Sequence, residues 1–173
     1  MSAREEVLAR VRAALADVVQ PDPALDVPIV WEYGRPTAMP DVLERFVETV
    51  IDYRAVVRRV PEAGIPDAIA ALLAEYGVTS MVLPAGVDAG WRQAVLAAGV
   101  AIHEDDPPLS RAELNAIDGV LTASRVSIAE TGTIVLDHRD DQGRRALSLV
   151  PDLHLCVVRA DQVVSDVPEA VAR

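Results

Sequence analysis

The chain has 173 residues, a length that fits one domain with a sizeable hydrophobic core. Hydrophobic residues make up 51% of the sequence but aromatic residues only 3%, so the core is expected to be aliphatic. The formal net charge of -11 opposes binding to nucleic acid or to an anionic membrane, because both require a cationic protein surface.

The N-terminal forty residues predict a helix followed by a proline-rich connector. Ser2 and Glu5 have the spacing of a capping box, and an apolar stripe follows at helical spacing: Val7, Leu8, Val11, Leu15 and Val18. Five prolines between residues 20 and 40 exclude a continuous helix or a central strand there. Trp31 and Tyr33 are candidate anchors for this connector. We expect no signal peptide and no membrane span, and therefore a cytoplasmic protein.

From residue 41 onward, helical and strand patterns alternate. A long helix is predicted from Asp41 to about Arg59, and later strands at residues 145–150 and 153–158. Between them, helices are predicted at residues 65–76, 88–98 and 110–116, and strands at 78–83, 99–102 and 119–121. This order is typical of a parallel sheet with right-handed crossovers. We predict an α/β fold with an open, mostly parallel sheet and helices on both faces. Residues 41–173 form this domain, and residues 1–40 form an N-terminal helical extension with its connector.

A stretch dense in small polar residues lies between two apolar runs of this domain. Between residues 118 and 137 it carries these hydroxyl and acid side chains: Thr122, Ser124, Ser127, Glu130, Thr131 and Thr133. We predict a strand, a short helix that Ser127 caps, a tight turn at Gly132 and a second strand. Gly132 permits a positive φ or a close backbone approach. We therefore interpret residues 130–133, the 130–133 turn, as the candidate site. The alternative is that these hydroxyls only cap a helix and two strands.

Other polar segments are interpreted as structural. The loop at residues 83–88 follows a strand, where open α/β sheets bind ligands, but it has no nucleotide-binding fingerprint. Asp88 is predicted to cap a helix. Residues 103–106 and 137–141 mix histidine with acids but lack metal-ligand spacing, so we interpret both as solvated loops and predict no metal site. His154 alternates with apolar neighbours. It either faces a cleft or is a strand histidine whose hydrogen bonds are made within the protein.

Cys156 is the only cysteine in the chain, and its neighbours predict a packed thiol on a strand. A single cysteine excludes an internal disulfide and a cysteine-ligated metal or iron–sulfur site built by this chain alone. No cofactor is therefore predicted within the chain.

Two motifs resemble the lactate-utilization (LUD) domain family, and most closely its single-domain members. They are Ala-Glu-Thr-Gly-Thr at residues 129–133 and Leu-x-Pro-x-x-His at residues 149–154. The resemblance covers residues 78–165 in detail. It implies an α/β fold related to the NagB/RpiA/CoA-transferase group. It also implies a role with two iron–sulfur proteins in oxidising L-lactate to pyruvate. The family pattern continues with Gly-Pro-Ser and Asp-Ile-Glu segments that this sequence lacks, so we expect an exposed sheet edge that favours homo-oligomers.

The first functional hypothesis is an accessory subunit of a lactate-oxidising system that is not catalytic alone. Lactate oxidation releases two electrons, so the redox carrier, expected as iron–sulfur clusters, must lie in partner proteins. In this hypothesis the 130–133 turn binds a small anion, such as a carboxylate, or contacts a partner. Glu130 is the candidate catalytic residue, and the candidate substrate-binding residues are Ser124, Arg125, Thr131, Gly132, Thr133 and His154.

Two hypotheses from other classes stay open. The first is an acyl-transfer or phosphosugar-type enzyme. The resemblance to the CoA-transferase group implies a glutamate nucleophile before a glycine-containing turn, which Glu130 and Gly132 would match. The second is a purely structural or regulatory binding protein.

Overall fold

The computed structural model describes residues 2–18, 22, 25 and 36–173, and the chain divides into two compact units, Met1–Tyr33 and Gly34–Arg173. In the first unit, helix α1 (Ala3–Ala14) begins at Ser2, which forms the predicted capping box with Glu5. The apolar side chains of its predicted stripe are exposed. Trp31 and Tyr33 lie outside the described residues. The proposed division at residue 40 stays a prediction.

The second unit contains the α/β architecture. Its helices are α2 (Val42–Asp52), α3 (Ile65–Glu75), α4 (Ala89–Ala97), α5 (Arg111–Asn115) and α6 (Val167–Val171). Its strands are β1 (Ser80–Val82), β2 (Ala101–His103), β3 (Gly119–Ala123), β4 (Val126–Ile128), β5 (Thr133–Val135), β6 (Leu153–Val157) and β7 (Val163–Val164). Short 3-10 helices span Glu62–Gly64, Arg145–Ser148 and Ala160–Gln162. Within the described ranges, no helix is long and apolar enough to cross a bilayer.

The main sheet is parallel throughout, in the order β2-β1-β3-β6. One face packs against α3 and α4 through an aliphatic cluster that includes Leu73, Val95 and Leu121. The other face packs against α5 and the 3-10 helix Arg145–Ser148 through a second cluster that includes Val120 and Leu147. The prediction of a mostly parallel sheet with helices on both faces is therefore confirmed.

A second, three-stranded sheet was not predicted. Its order is β5-β4-β7, with β4 antiparallel to β5 and parallel to β7. Helix α2 packs beside it, since Phe46 and Val50 share a cluster with Ala129 and with side chains of β5 and β7. This sheet and α2 together position the 130–133 turn.

Three local predictions are wrong. The short helix that Ser127 was predicted to cap does not form: residues 126–128 are β4 and residues 129–132 are a turn. Val126 and Ile128 are buried with Val164, and pairing with two strands outweighs a local cap. Residues 145–148 form a 3-10 helix rather than a strand, and Leu147 is buried under α5. Helix α2 ends at Asp52 rather than near Arg59, because the backbone reaches a φ of 66° at Arg54.

Candidate functional site

The 130–133 turn is fixed at its start by the second sheet. The Ala129 N–H donates to the carbonyl oxygen of Val164 at 2.8 Å, and the Glu130 N–H donates to that of Ser165 at 3.0 Å. These bonds extend the pairing of β4 with β7 by two residues. The backbone of Glu130 is therefore ordered, while its side chain is exposed.

Helix α2 holds the turn from the other side. The Thr49 hydroxyl lies 2.9 Å from the carbonyl oxygen of Ala129 and 3.0 Å from that of Phe46, so its proton is shared between the turn and the helix. Gly132 has a φ of 64°, and a Cβ atom there would lie 3.0 Å from the Thr49 carbonyl carbon. Both predicted reasons for glycine, a positive φ and a close approach, are confirmed.

A cleft of about 410 Å³ lies beside the turn, lined by Thr49, Asp52, Tyr53, Glu130 and Thr131. It is open to solvent, and Tyr53 is 77% exposed. Among the described residues, two carboxylates and no cationic side chain line it, so the charge of this lining attracts cations and repels small anions. The hydroxyls of Thr131 and Thr133 lie 2.8 Å apart and bond to each other rather than to the backbone.

Ser124 and Arg125 do not line this cleft. Ser124 is buried, and it exchanges hydrogen bonds with Gln162: the serine hydroxyl donates to Oε1 at 3.1 Å, and Nε2 donates to the serine carbonyl oxygen at 2.9 Å. The Arg125 guanidinium donates to the carbonyl oxygen of Arg173 at 2.7 Å and lies 3.5 Å from a carboxylate oxygen of Asp137. Both side chains therefore tie the end of β3 to later parts of the chain.

His154 lies on β6, in the main sheet rather than at the turn. Its Nε2 is 2.8 Å from the Thr122 hydroxyl, which in turn lies 3.7 Å from the Cys156 sulfur. The imidazole is partly exposed, but burial of its inner side lowers the pKa of His154 below its ordinary value. Burial also raises the pKa of the Cys156 thiol to about 11, so this thiol is protonated and unreactive at neutral pH, as predicted.

The predicted site residues thus separate into two groups. Glu130, Thr131, Gly132 and Thr133 share the turn beside the cleft. Ser124 and Arg125 lie in the connection between β3 and β4, and His154 lies on β6. The cleft residues that sequence reasoning missed are on α2 and at its C-terminal cap: Thr49, Asp52 and Tyr53. Their spacing of three and four residues places them on one side of a helix, and this pattern alone could have grouped them.

A second open space of about 480 Å³ lies at the carboxyl end of the main sheet, lined by Gly86, Arg139, Asp140 and Asp141. The Gly86 N–H donates to the carbonyl oxygen of Asp140 at 2.8 Å, and the Ala123 N–H donates to that of Asp141 at 3.1 Å. The loop at residues 137–141 therefore packs on the ends of β1 and β3 instead of being only solvated. Asp88 caps α4 as predicted. Across the described part of the chain, no three potential metal-ligating side chains cluster together.

Comparison with known proteins gives the family. Residues 43–173 match the LUD domain family model. The chain is 48% identical over 136 residues to a Deinococcus radiodurans protein named lactate utilization protein C, and the match covers 79% of this chain and 61% of the relative. The chain thus spans about three fifths of the length of that relative.

A solved structure agrees with this family match. It is the crystal structure of a DUF162 family protein from Deinococcus radiodurans, 47% identical, with a TM-score of 0.72 and coverage of 79% of this chain and 80% of that one. The two motifs at residues 129–133 and 149–154 had indicated the same relationship. This chain belongs to the LUD domain family.

Proposed function

We propose that this chain acts in lactate utilization, as an accessory subunit of a system that oxidises L-lactate to pyruvate. The similarity to a relative of that name supports the process. The observation that supports the 130–133 turn as the functional site is the exposed Glu130 side chain on an ordered turn beside an open cleft. In this role the turn recognises another component of the system.

The electrons of lactate oxidation go to partner proteins in this proposal. An iron–sulfur cluster is held by several thiolates, and this sequence has one cysteine. That cysteine, Cys156, has a protonated thiol at neutral pH because burial raises its pKa to about 11. Two iron–sulfur proteins are therefore the proposed partners, and this chain carries no cofactor of its own.

The charge of the cleft selects between the two occupants considered for the turn. Glu130 and Asp52 both present carboxylates to the cleft, so a lactate anion would meet like charge there. A protein surface with lysine or arginine side chains would meet complementary charge, and the exposed ring of Tyr53 suits a protein interface. We therefore assign the cleft to a basic segment of a partner, and the small carboxylate ligand to another site.

Lactate growth and partner binding test this proposal together. Glu130→Gln and Asp52→Asn are introduced into the full chain, in a host that lacks the gene for this chain. Glu48→Gln is the matched control, because Glu48 is an exposed acid on α2 outside the cleft lining. We expect each cleft variant to weaken binding to the purified iron–sulfur partners about tenfold, which corresponds to about 1.4 kcal/mol. Unchanged binding and growth in both cleft variants would refute the assignment.

Acyl transfer is the second candidate, and the exposed carboxylate of Glu130 is the observation that favours it. A glutamate nucleophile must be accessible to its acyl donor, and this one is. However, the Glu130 N–H is already bonded to Ser165 and cannot stabilise an oxyanion. Incubation with acyl-CoA followed by mass spectrometry distinguishes the two functions. A covalent adduct at Glu130 that Glu130→Gln abolishes would support acyl transfer.

A further inference from the structure

The order of strands in the main sheet creates a crevice between β1 and β3. From β1 the chain runs through α4 to β2 on one side, and it returns through α5 to β3 on the other side. The two connecting helices cover opposite faces of the sheet. Open α/β sheets bind ligands at such a reversal, in the space outside the carboxyl ends of the two strands. Because β1 and β3 each pair with a strand on both sides, this crevice does not depend on an edge strand.

The second open space, of about 480 Å³, occupies this crevice. Gly86 follows β1, and its N–H donates to the carbonyl oxygen of Asp140 at 2.8 Å. Ala123 is the last residue of β3, and its N–H donates to the carbonyl oxygen of Asp141 at 3.1 Å. A Cβ atom at position 86 would lie 2.6 Å from the carbonyl carbon of Asp140, so the close approach of the loop to β1 requires glycine. The loop backbone is thus fixed to both strands, whereas its side chains line the space and stay available to a ligand.

The lining of the crevice offers a buried acceptor and an exposed cation. The Oδ1 atom of Asp141 is buried and has no hydrogen-bond partner among the described residues. A buried acceptor without a donor has lost its hydration with no compensating hydrogen bond, so a ligand that supplies a donor is favoured there. The Nε atom of Arg139 lies 2.8 Å from a carboxylate oxygen of Asp137, and the arginine side chain is 60% exposed. A guanidinium has five N–H donors, so this one can bind a second anion while it keeps Asp137.

Ligands that carry phosphate do not fit this crevice. Helix α4 is the first helix after β1, and its capping residue Asp88 accepts from the N–H groups of Gly90 and Trp91 at 2.8 Å and 3.2 Å. These amides are therefore not available to a phosphate group. The carboxylates of Asp140 and Asp141 would also repel its charge.

We propose that this crevice binds the head group of a free α-amino acid. The ligand ammonium donates to Oδ1 of Asp141, and the ligand carboxylate accepts from the terminal nitrogens of Arg139. A simple anion would leave the Asp141 oxygen without a donor, and a simple amine would leave Arg139 without a second anion. Among the described residues no apolar side chain lines the crevice, so alanine fits better than an amino acid with a large apolar side chain. This site is independent of the role proposed for the 130–133 turn.

An NMR titration of the full chain with L-alanine tests the site directly. The amide signals of Gly86 and Asp141 report on the crevice, because both residues line it. We expect L-alanine to shift these signals until they reach a plateau. The absence of a saturable shift at both amides would overturn the proposal.

Three analogues of alanine test the two charges in the wild-type chain. Propionate lacks the ammonium group, ethylamine lacks the carboxylate, and L-lactate has a hydroxyl group in place of the ammonium. We expect each analogue to bind at least about tenfold more weakly than L-alanine, because each loses one charged contact. If any of the three binds as tightly as L-alanine, the amino-acid assignment is wrong.

Two variants and a matched control locate the contacts. Asp141→Asn removes the charge that receives the ammonium, and Arg139→Gln removes the cation that receives the carboxylate. Asp152→Asn is the control, because Asp152 is an exposed acid that precedes β6, at the opposite end of the sheet. We expect each crevice variant to lower the affinity for L-alanine at least about tenfold and the control to keep it. Arg139 is exposed and the loop bonds are made by backbone atoms, so Arg139→Gln should fold even if Asp141→Asn does not. Unchanged affinity in a folded crevice variant would overturn the proposal.

Discussion

Alanine at position 132 tests whether the 130–133 turn is held against α2. Gly132 has a φ of 64°, and a residue with a Cβ atom costs about 1–2 kcal/mol in this left-handed region. The new Cβ would also lie 3.0 Å from the carbonyl carbon and 3.1 Å from the carbonyl oxygen of Thr49. These are helix backbone atoms that cannot rotate away, so the crowding adds about 1–2 kcal/mol. We expect Gly132→Ala to lower the free energy of unfolding by about 2–4 kcal/mol.

Gly77→Ala is the matched control for this substitution. Gly77 has nearly the same φ, 63°, but a Cβ atom there meets nothing within 4 Å. Gly77→Ala should therefore lower the free energy of unfolding only by the cost of the left-handed backbone conformation, about 1–2 kcal/mol. Urea unfolding followed by circular dichroism measures both variants, and the difference between them isolates the contact with Thr49. Equal losses in the two variants would show that the turn does not pack on α2, and the cleft as described would not exist.

Three further predictions concern titration and pairing. Burial lowers the pKa of His154 below 6.5, so below about pH 6.5 the unfolded chain binds a proton that the folded chain resists. Stability should therefore fall as the pH drops from about 6.5, and urea unfolding of His154→Gln should lack this part of the fall. Arg144 forms a two-point ion pair with Asp105, at 2.6 Å and 2.9 Å, which lowers the pKa of that carboxyl. Arg144→Lys cannot reproduce this geometry and should cost about 1 kcal/mol in urea unfolding, and no loss would refute the pairing. The Cys156 thiol, with a pKa raised to about 11 by burial, should react with a thiol reagent far more slowly in the native chain than in urea. Fast native labelling at neutral pH would contradict its burial.

The main sheet could be predicted from the sequence because its signals are local and repeated. Each of its first three strands is a short apolar run next to a helix in the sequence. A capping residue marks the start of such a helix, or a glycine marks its end. This alternation of helices and strands allows few topologies, because the crossover connections between parallel strands are right-handed. Between residues 65 and 121 the predicted order of elements was therefore right, and the boundaries differed by only one or two residues.

The second sheet could not be predicted in the same way. Its strands are two or three residues long, too short for a period of two to be distinguished from chance. β7 comes 35 residues after β4 in the chain, so the pairing that defines β4 has no local sequence signal. The capping-box spacing of Ser127 and Glu130 gave a wrong helix for this reason.

The hydroxyl-rich stretch shows why polar density alone does not locate a site. Thr122 is buried and bonded to His154, and Ser124 is buried and bonded to Gln162; both partners come more than thirty residues later in the chain. Thr131 is exposed beside the cleft. Nothing in the local sequence separates the buried hydroxyls from the exposed one, because the partner that satisfies each is supplied by the fold. A search for charged side chains on the elements that pack against the turn locates the site better than polar density does. The cleft carboxylate missed by sequence reasoning, on Asp52, lies on the helix that the glycine of the turn must approach. A turn glycine that contacts a helix therefore indicates which helix to search for further site residues. The contact itself is tested by a substitution such as Gly132→Ala.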